Sequence, residues 1–130
     1  MNNGLGKALL IGDQRGLMGV INQNQLPFPV QRMFWLANVR SGESRGGHAH
    51  RRCRQLVVCA AGSVTCRTES RTFGEESRKM TTGDMYELNT MTWLMLDDFS
   101  SDCVVIVLAS EPYDESEYVR DYEIFRREIS

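Results

Sequence analysis

Apolar residues recur along most of this chain in short runs, alternating or nearly continuous, broken every few positions by Gly, Asn, Asp or Ser. That period belongs to strands rather than helices. Segments 7–11, 17–22, 31–38, 45–50, 55–60, 63–68, 77–80, 85–88, 91–96 and 103–110 are predicted as strands. Strands this short and this closely spaced indicate an all-β sandwich or barrel. The turn residues agree. Ala61-Gly62 closes a short hairpin, Thr82-Gly83-Asp84 interrupts another pair, and Gly12 to Gly16, with Asp13 and Arg15 between them, turns the first strand into the second. The last segment changes period: Tyr118, Tyr122, Phe125 and Ile129 fall on one face at helical spacing. Asp114 with Glu117 three residues on fits a capping box with Asp in the leading position. A helix is therefore predicted to start near Glu115, its aromatic stripe serving as a docking face.

At 130 residues the chain has room for one domain, 1–130, and no second module. Hydrophobic residues at 42% and charged residues at 25% are ordinary globular usage and disfavour disordered, collagen-like and disulfide-scaffold classes. A net charge of −2 and a longest basic cluster of only Arg51, Arg52 and Arg54 argue against a nucleic-acid partner. No run approaches the roughly 20 apolar residues needed to span a bilayer. No signal-peptide pattern opens the chain, so a cytoplasmic location is expected. Cys53, Cys59, Cys66 and Cys103 form no CxxC pair and read as small buried hydrophobes in a reducing compartment. All basic side chains except Lys7 and Lys79 are arginine, a bias suited to bidentate recognition of phosphate or carboxylate.

There are only 2 histidines, His48 and His50, so any site needing three is excluded by count. They stand two apart in the predicted strand Arg45-Gly46-Gly47-His48-Ala49-His50, which turns both imidazoles to one face. The spacing of Gly42, His48-Ala49-His50, Gln55 and Gly62 follows the first motif of the cupin superfamily, with Gln55 where metal-binding cupins carry Glu. The second cupin motif, laid from Gly83, puts Leu94 at the position of a third metal-ligating histidine. Two neutral imidazoles, an amide and an aliphatic chain make a poor transition-metal site. The same imidazoles suit proton transfer, because an ordinary His pKa near 6.5 populates both protonation states around neutrality.

Beyond these motifs the chain resembles the WxcM-like sugar 3,4-ketoisomerases, single-domain cupins of bacterial deoxysugar biosynthesis. The resemblance rests on Asp13-Gln14-Arg15-Gly16-Leu17, Pro27-Phe28 with Arg32, Arg45 to His50, Gln55 through Gly62-Ser63, Met91-Thr92-Trp93, Phe99-Ser100, Val107 to Ser110, Tyr113-Asp114-Glu115-Ser116 and Tyr118 to Tyr122. It implies a cupin jelly roll or β-sandwich with a C-terminal α-helix. The implied substrate is a dTDP-linked 4-keto-6-deoxyhexose such as dTDP-4-keto-6-deoxyglucose, isomerised through an enediolate with no metal and no organic cofactor. It implies also a homodimer that exchanges N-terminal strands. His48 and His50 match the family's catalytic pair, with His48 assigned as carbon base and His50 as proton shuttle. The residues alone do not decide that order. Gln55 from the adjacent strand and Arg45 are candidate donors to the enediolate, and Arg40, Arg45 and Arg15 are candidates for the diphosphate. Trp35 and Trp93 either line the pocket and stack on thymine or pack in the core. Where many members carry several tyrosines, this chain has Phe34-Trp35-Leu36-Ala37, so a phenolic acid is missing from that strand. Two other readings stay open from the residues: a nucleotide-sugar-binding cupin without turnover, and a metal-dependent cupin enzyme.

Overall fold

In the strand Val104–Ala109 every second side chain is buried, and Val105, Val107 and Ala109 are all 2% exposed or less. This is what a pleated strand with one face in a core requires. The computed structural model describes residues 4–130; residues 1–3 of the domain expected over 1–130 lie outside the described residues. The strands are β1 Gly6–Lys7, β2 Leu9–Asp13, β3 Gly16–Val20, β4 Arg32–Ala37, β5 Arg45–His50, β6 Gln55–Ala61, β7 Ser63–Ser70, β8 Gly74–Thr81, β9 Asp84–Leu88, β10 Trp93–Asp97, β11 Val104–Ala109 and β12 Tyr118–Val119, followed by helix α1, Tyr122–Ile129. Two five-stranded antiparallel sheets, ordered β1-β9-β6-β11-β4 and β12-β5-β10-β7-β8, enclose the core, while β2 and β3 pair only with each other. This is the cupin jelly roll with a C-terminal helix.

Between the sheets lie Val57, Cys59, Val64, Cys66, Met80, Leu88, Leu94, Leu96, Val105 and Val107. Each fully buried aliphatic side chain of this kind contributes roughly 1.5–3 kcal/mol by leaving water. The second apolar cluster, Phe28, Leu56, Val58 and Met85, covers the other face of β6 and β9. The third holds the C-terminal helix: Ala49 and Val119 pack against Phe125 and Ile129, with Trp93 at the edge. A small residue stands between the two histidines because Phe125, 0% exposed, lies among the side chains packed behind Ala49, which is also 0% exposed.

Four features depart from the sequence-based expectation. Ala61-Gly62 closes no hairpin: β6 pairs with β9 and β11 and β7 with β8 and β10, so the turn at Gly62, φ 72, carries the chain from one sheet to the other. The first expected strand is split into β1 and β2 at Ala8, whose N–H bonds the Gly83 carbonyl. The strand expected from residue 91 starts at Trp93, because Met91 sits at φ 52 and its N–H turns to the His50 carbonyl. Most important, no α-helix begins at Glu115. Asp114 caps a single 3-10 turn, Glu115–Glu117, by accepting from the Ser116 N–H. Tyr118 and Val119 then extend and pair with His50 and Ala49. The helix starts only after Asp121, whose carboxylate accepts from the N–H groups of Glu123 and Ile124.

A bulge sets the register of β5. His48 lies opposite Leu94, Gly46 opposite Met95 and Arg45 opposite Leu96, with a shift between Leu94 and Met95. Gly46 has φ 105, and a Cβ there would stand 2.6 Å from the Leu94 carbonyl oxygen. Only glycine fits both the conformation and the space. Gly46→Ala is expected to cost about 2 kcal/mol of backbone strain, lowering Tm by roughly 5–10 °C. Gly19→Ala, where the added Cβ meets only an ordinary contact at 3.6 Å from Leu10, serves as the control. Equal melting temperatures for the two variants in a thermal denaturation series would overturn the bulge assignment.

Candidate active site

The β5 strand lies between β10 and β12 and turns Ala49 toward the helix. His48 and His50 therefore point between the sheets. Their ring centroids are 5.0 Å apart with planes at 89°. The ring of Tyr118, delivered by β12 directly opposite His50, lies 4.3 Å from the His50 ring and 5.2 Å from that of His48. His50 Nε2 and His48 Nδ1 are both buried and have no hydrogen-bond partner. An unpartnered ring nitrogen facing an interior is an unsatisfied polar group that a ligand can engage.

His50 Nδ1 meets Glu117 Oε2 at 2.5 Å, with both side chains 2% exposed. The other carboxylate oxygen, Oε1, accepts from the backbone N–H groups of Arg52 and Cys53 at 3.0 Å each. Burial pushes the Glu117 carboxyl up, but the His50 hydrogen bond and the two N–H groups outweigh it and hold it below the ordinary carboxylate range. Burial lowers the His50 pKa, with Glu117 opposing, and the net direction is down. His48 has no such partner. Burial first, then the neighbouring His50 and the Arg120 charge, take it down to about 4. Both imidazoles are thus neutral at neutral pH.

Arginine and acid side chains rim this cluster. Arg32 reaches Tyr118 Oη at 3.5 Å and Cys53 Sγ at 3.8 Å, and its Nε donates to the Glu111 carbonyl. Arg120 stands 4.4 Å over the Tyr118 ring and grips Glu115 with two hydrogen bonds of 2.7 and 2.9 Å. The Arg120 hydrogen bonds, then one from Tyr113, bring the Glu115 carboxyl down to about 2. His50, Cys53 and Glu117 offer three donor atoms within 4.8 Å of one another. The imidazole and carboxylate are already joined at 2.5 Å, closer than two ligands of one ion of about 2.0–2.1 Å bond length would stand. The set is a hydrogen-bonded cluster, and a metal would have to break it open.

The residues expected from sequence divide into two groups. Gln55, 2% exposed, alternates with the core residues Val57 and Cys59 and so faces the interior. It comes from the opposite sheet and not from a strand adjacent to the histidines, because β6 pairs with β9 and β11. Leu94 is buried beside His48, filling with hydrocarbon the position of a third histidine. The bulge returns Arg45 to the same face as His48, at the exposed start of β5. Trp93 does not line this interior: its ring packs 5.3 Å from Tyr122 and 5.4 Å from Phe125, on the helix side of the sheet. Trp35 is 63% exposed on the outer face of β4, and with Arg40 and Arg45 it borders an open cleft of about 380 Å³. Arg15 sits at the β2–β3 tip, its guanidinium paired with Asp13. Glu117, Tyr118 and Arg120 escaped the sequence reading because their segment scanned as the start of a helix. A polar residue at the position before a β-prone Tyr-Val pair was the available signal.

An antiparallel double sheet whose interior holds two neutral imidazoles, a buried carboxylate and a phenol defines a cupin equipped for proton transfer. The comparisons with known proteins sharpen this class. The family model described as "FdtA: WxcM-like, C-terminal" matches residues 1–130. A TDP-4-oxo-6-deoxy-alpha-D-glucose-3,4-oxoisomerase from Aneurinibacillus thermoaerophilus is 34% identical over 119 residues, covering 91% of this chain and 86% of that protein. The sugar 3,4-ketoisomerase QdtA from Thermoanaerobacterium thermosaccharolyticum, solved in complex with TDP, superposes with a TM-score of 0.88 at 30% identity over 97% of this chain and 93% of that one. A histidine-to-asparagine mutant of QdtA, solved with TDP-4-keto-6-deoxyglucose, gives 0.89 at 29% identity, over 99% and 95% of the two chains. The chain belongs to the WxcM-like family.

The two histidines carry a consequence for stability. Unfolded, His48 titrates near its ordinary 6.5; folded, near 4. As pH falls the unfolded chain takes up the proton first, so the stability is complete above 6.5 and is lost on the way down to about 4. The His50 shift acts in the same direction. Tm is expected to fall through this window, and His48→Asn is expected to flatten part of that fall. A variant whose Tm profile between pH 6.5 and 4 parallels the parent would show that His48 is not held neutral.

Proposed function

We propose that this chain is a 3,4-ketoisomerase acting on a dTDP-linked 4-keto-6-deoxyhexose, working without metal through an enediolate. The observation that carries the reading is the pair of buried, unpartnered ring nitrogens, His48 Nδ1 and His50 Nε2, facing one interior. Ketoisomerisation needs two proton movements. One proton leaves C3, acidified by the C4 ketone, and one is delivered to C4. Another leaves the C3 hydroxyl while the C4 oxygen gains one. His48, neutral and with its buried Nδ1 unpartnered, is the carbon base, and it returns the proton to C4. His50 is the shuttle between the two sugar oxygens, since a ring with one bare nitrogen can accept from one and donate to the other.

Gln55 and Arg45 are the proposed donors toward the developing oxyanion, with Tyr118 supplying the phenol that β4 lacks. Oriented donors of this kind act most strongly where water is excluded. Acid–base help supplies roughly 10²–10⁴ in rate. Arg40 and Arg45, beside an open cleft, are the proposed contacts for the diphosphate. A homodimer is part of the proposal. The β2–β3 ribbon exposes Leu9, Ile11, Leu17 and Met18, each about half accessible, and Met33 and Trp35 lie bare on edge strand β4. A second copy exchanging its N-terminal strands would cover both. Such an exchange would also carry Arg15 to the partner. Four free thiols and a nucleotide-sugar substrate suit work in the cytoplasm.

The test follows solvent deuterium into dTDP-4-keto-6-deoxyglucose by NMR. Label is expected at C3 or C4, together with the 3-keto product. His48→Asn is expected to abolish exchange while dTDP affinity stays within about threefold, because it removes the base and leaves the nucleotide contacts. Tight dTDP binding with no exchange at high enzyme concentration would sink the isomerase reading in favour of a binding module. Full activity in His48→Asn would refute the base assignment.

A further inference from the structure

The two histidines are chemically unequal in a way the isomerase reading does not require. His48 is held only by its strand. His50 is tied at Nδ1 to a carboxylate that is itself tied to the main chain. Glu117 Oε1 accepts two backbone N–H groups from the turn that follows β5, so the carboxyl plane cannot rotate away. Its own segment is also pinned: the Glu117 carbonyl accepts from the Arg51 N–H, and its N–H bonds the Asp114 carbonyl. An ionised carboxylate has no hydrogen to give, so the proton in the Oε2···Nδ1 contact belongs to the ring.

We infer that Glu117 is the positioning residue that sets the tautomer of His50, keeping Nδ1 protonated and Nε2 a bare acceptor facing the interior. This rests on the ketoisomerase reading for its consequence, since a shuttle must begin by accepting a sugar hydroxyl proton at Nε2. The opposite tautomer would present an N–H there and block that first transfer. When Nε2 takes the proton, the doubly protonated ring is formed against an anion already in place, without reorganisation of solvent. Glu117 touches no reacting atom and acts wholly through His50.

A merely structural Glu117, present to satisfy the Arg52 and Cys53 N–H groups, makes a different statement about one substitution. Glu117→Gln keeps an oxygen for both N–H groups and points an NH₂ donor at His50 Nδ1. The fold is retained, and the ring is forced to carry its hydrogen on Nε2. Two-bond ¹H–¹⁵N correlation spectra of histidine-labelled protein read the tautomer directly, without substrate. The expected result is Nδ1–H in the parent and Nε2–H in Glu117→Gln. The kcat for ketoisomerisation is expected to fall roughly 10²–10⁴-fold, while KM, dTDP affinity and Tm stay close to the parent values. An Nε2–H ring in the parent, an unchanged tautomer in the variant, or a switched tautomer with kcat within about threefold of the parent would each overturn the inference. If the parent itself shows no turnover, the ketoisomerase reading falls, whereas the spectra still decide whether Glu117 governs the ring.

Discussion

The buried hydrogen bond between His50 and Glu117 is the joint on which this structure turns. It fastens the C-terminal segment to the strand that carries both histidines, and it does so inside the protein, where an unpaired carboxylate would cost several kcal/mol. That cost is avoided because every strong acceptor site on Glu117 has a donor: one imidazole and two backbone N–H groups. The same contact decides how the chain runs. To bring Glu117 inward, residues 115–117 make one tight turn and Tyr118 and Val119 extend, so the helix is delayed until Tyr122.

Once β12 pairs with β5, the rest of the arrangement follows from strand alternation. Ala49 and Val119 turn outward together and are covered by Phe125 and Ile129. His48, His50 and Tyr118 turn inward together. The helix lies on the side of β5 away from the histidines; its apolar face is the backing plate that keeps β5 in the sheet. Trp93 belongs to that backing, and its bulk is spent on Tyr122 and Phe125. On the other side of β5 the Gly46 bulge takes up one residue and lets Arg45 rejoin the face of His48. The histidine strand is thus fixed from both directions, by a glycine that admits the neighbouring carbonyl and by a carboxylate that crosses from the chain's end.

The electrostatics of the interior are set by unequal support for similar groups. Burial lowers both imidazole pKa values, yet His50 is hydrogen-bonded to a carboxylate whereas His48 feels that of Glu115 only through space. Arg32 and Arg120 flank the phenol of Tyr118 from two sides, and Arg120 is occupied by Glu115.

What the sequence determined by itself was everything governed by local period and by motif. The strand rhythm, the β2–β3 hairpin at Gly12–Gly16, the pairing of His48 and His50 on one face and the aliphatic Leu94 in place of a ligand all depend on residues a few positions apart. The sandwich, its terminal helix and the family follow from those signals. What only the tertiary structure decided depends on groups far apart in the chain. Glu117 lies 67 residues from His50, and no spacing rule connects them. Its segment obeyed a helix-capping pattern, and the pattern lost because a buried carboxylate with three donors outweighs one turn of exposed helix. Trp35 and Trp93 were equally plausible as pocket or core, since an aromatic residue in a strand has the same local signature on either face. The sheets' packing sent one outside and the other against a helix, because which face of a strand meets the interior is set by its partners and not by its own residues.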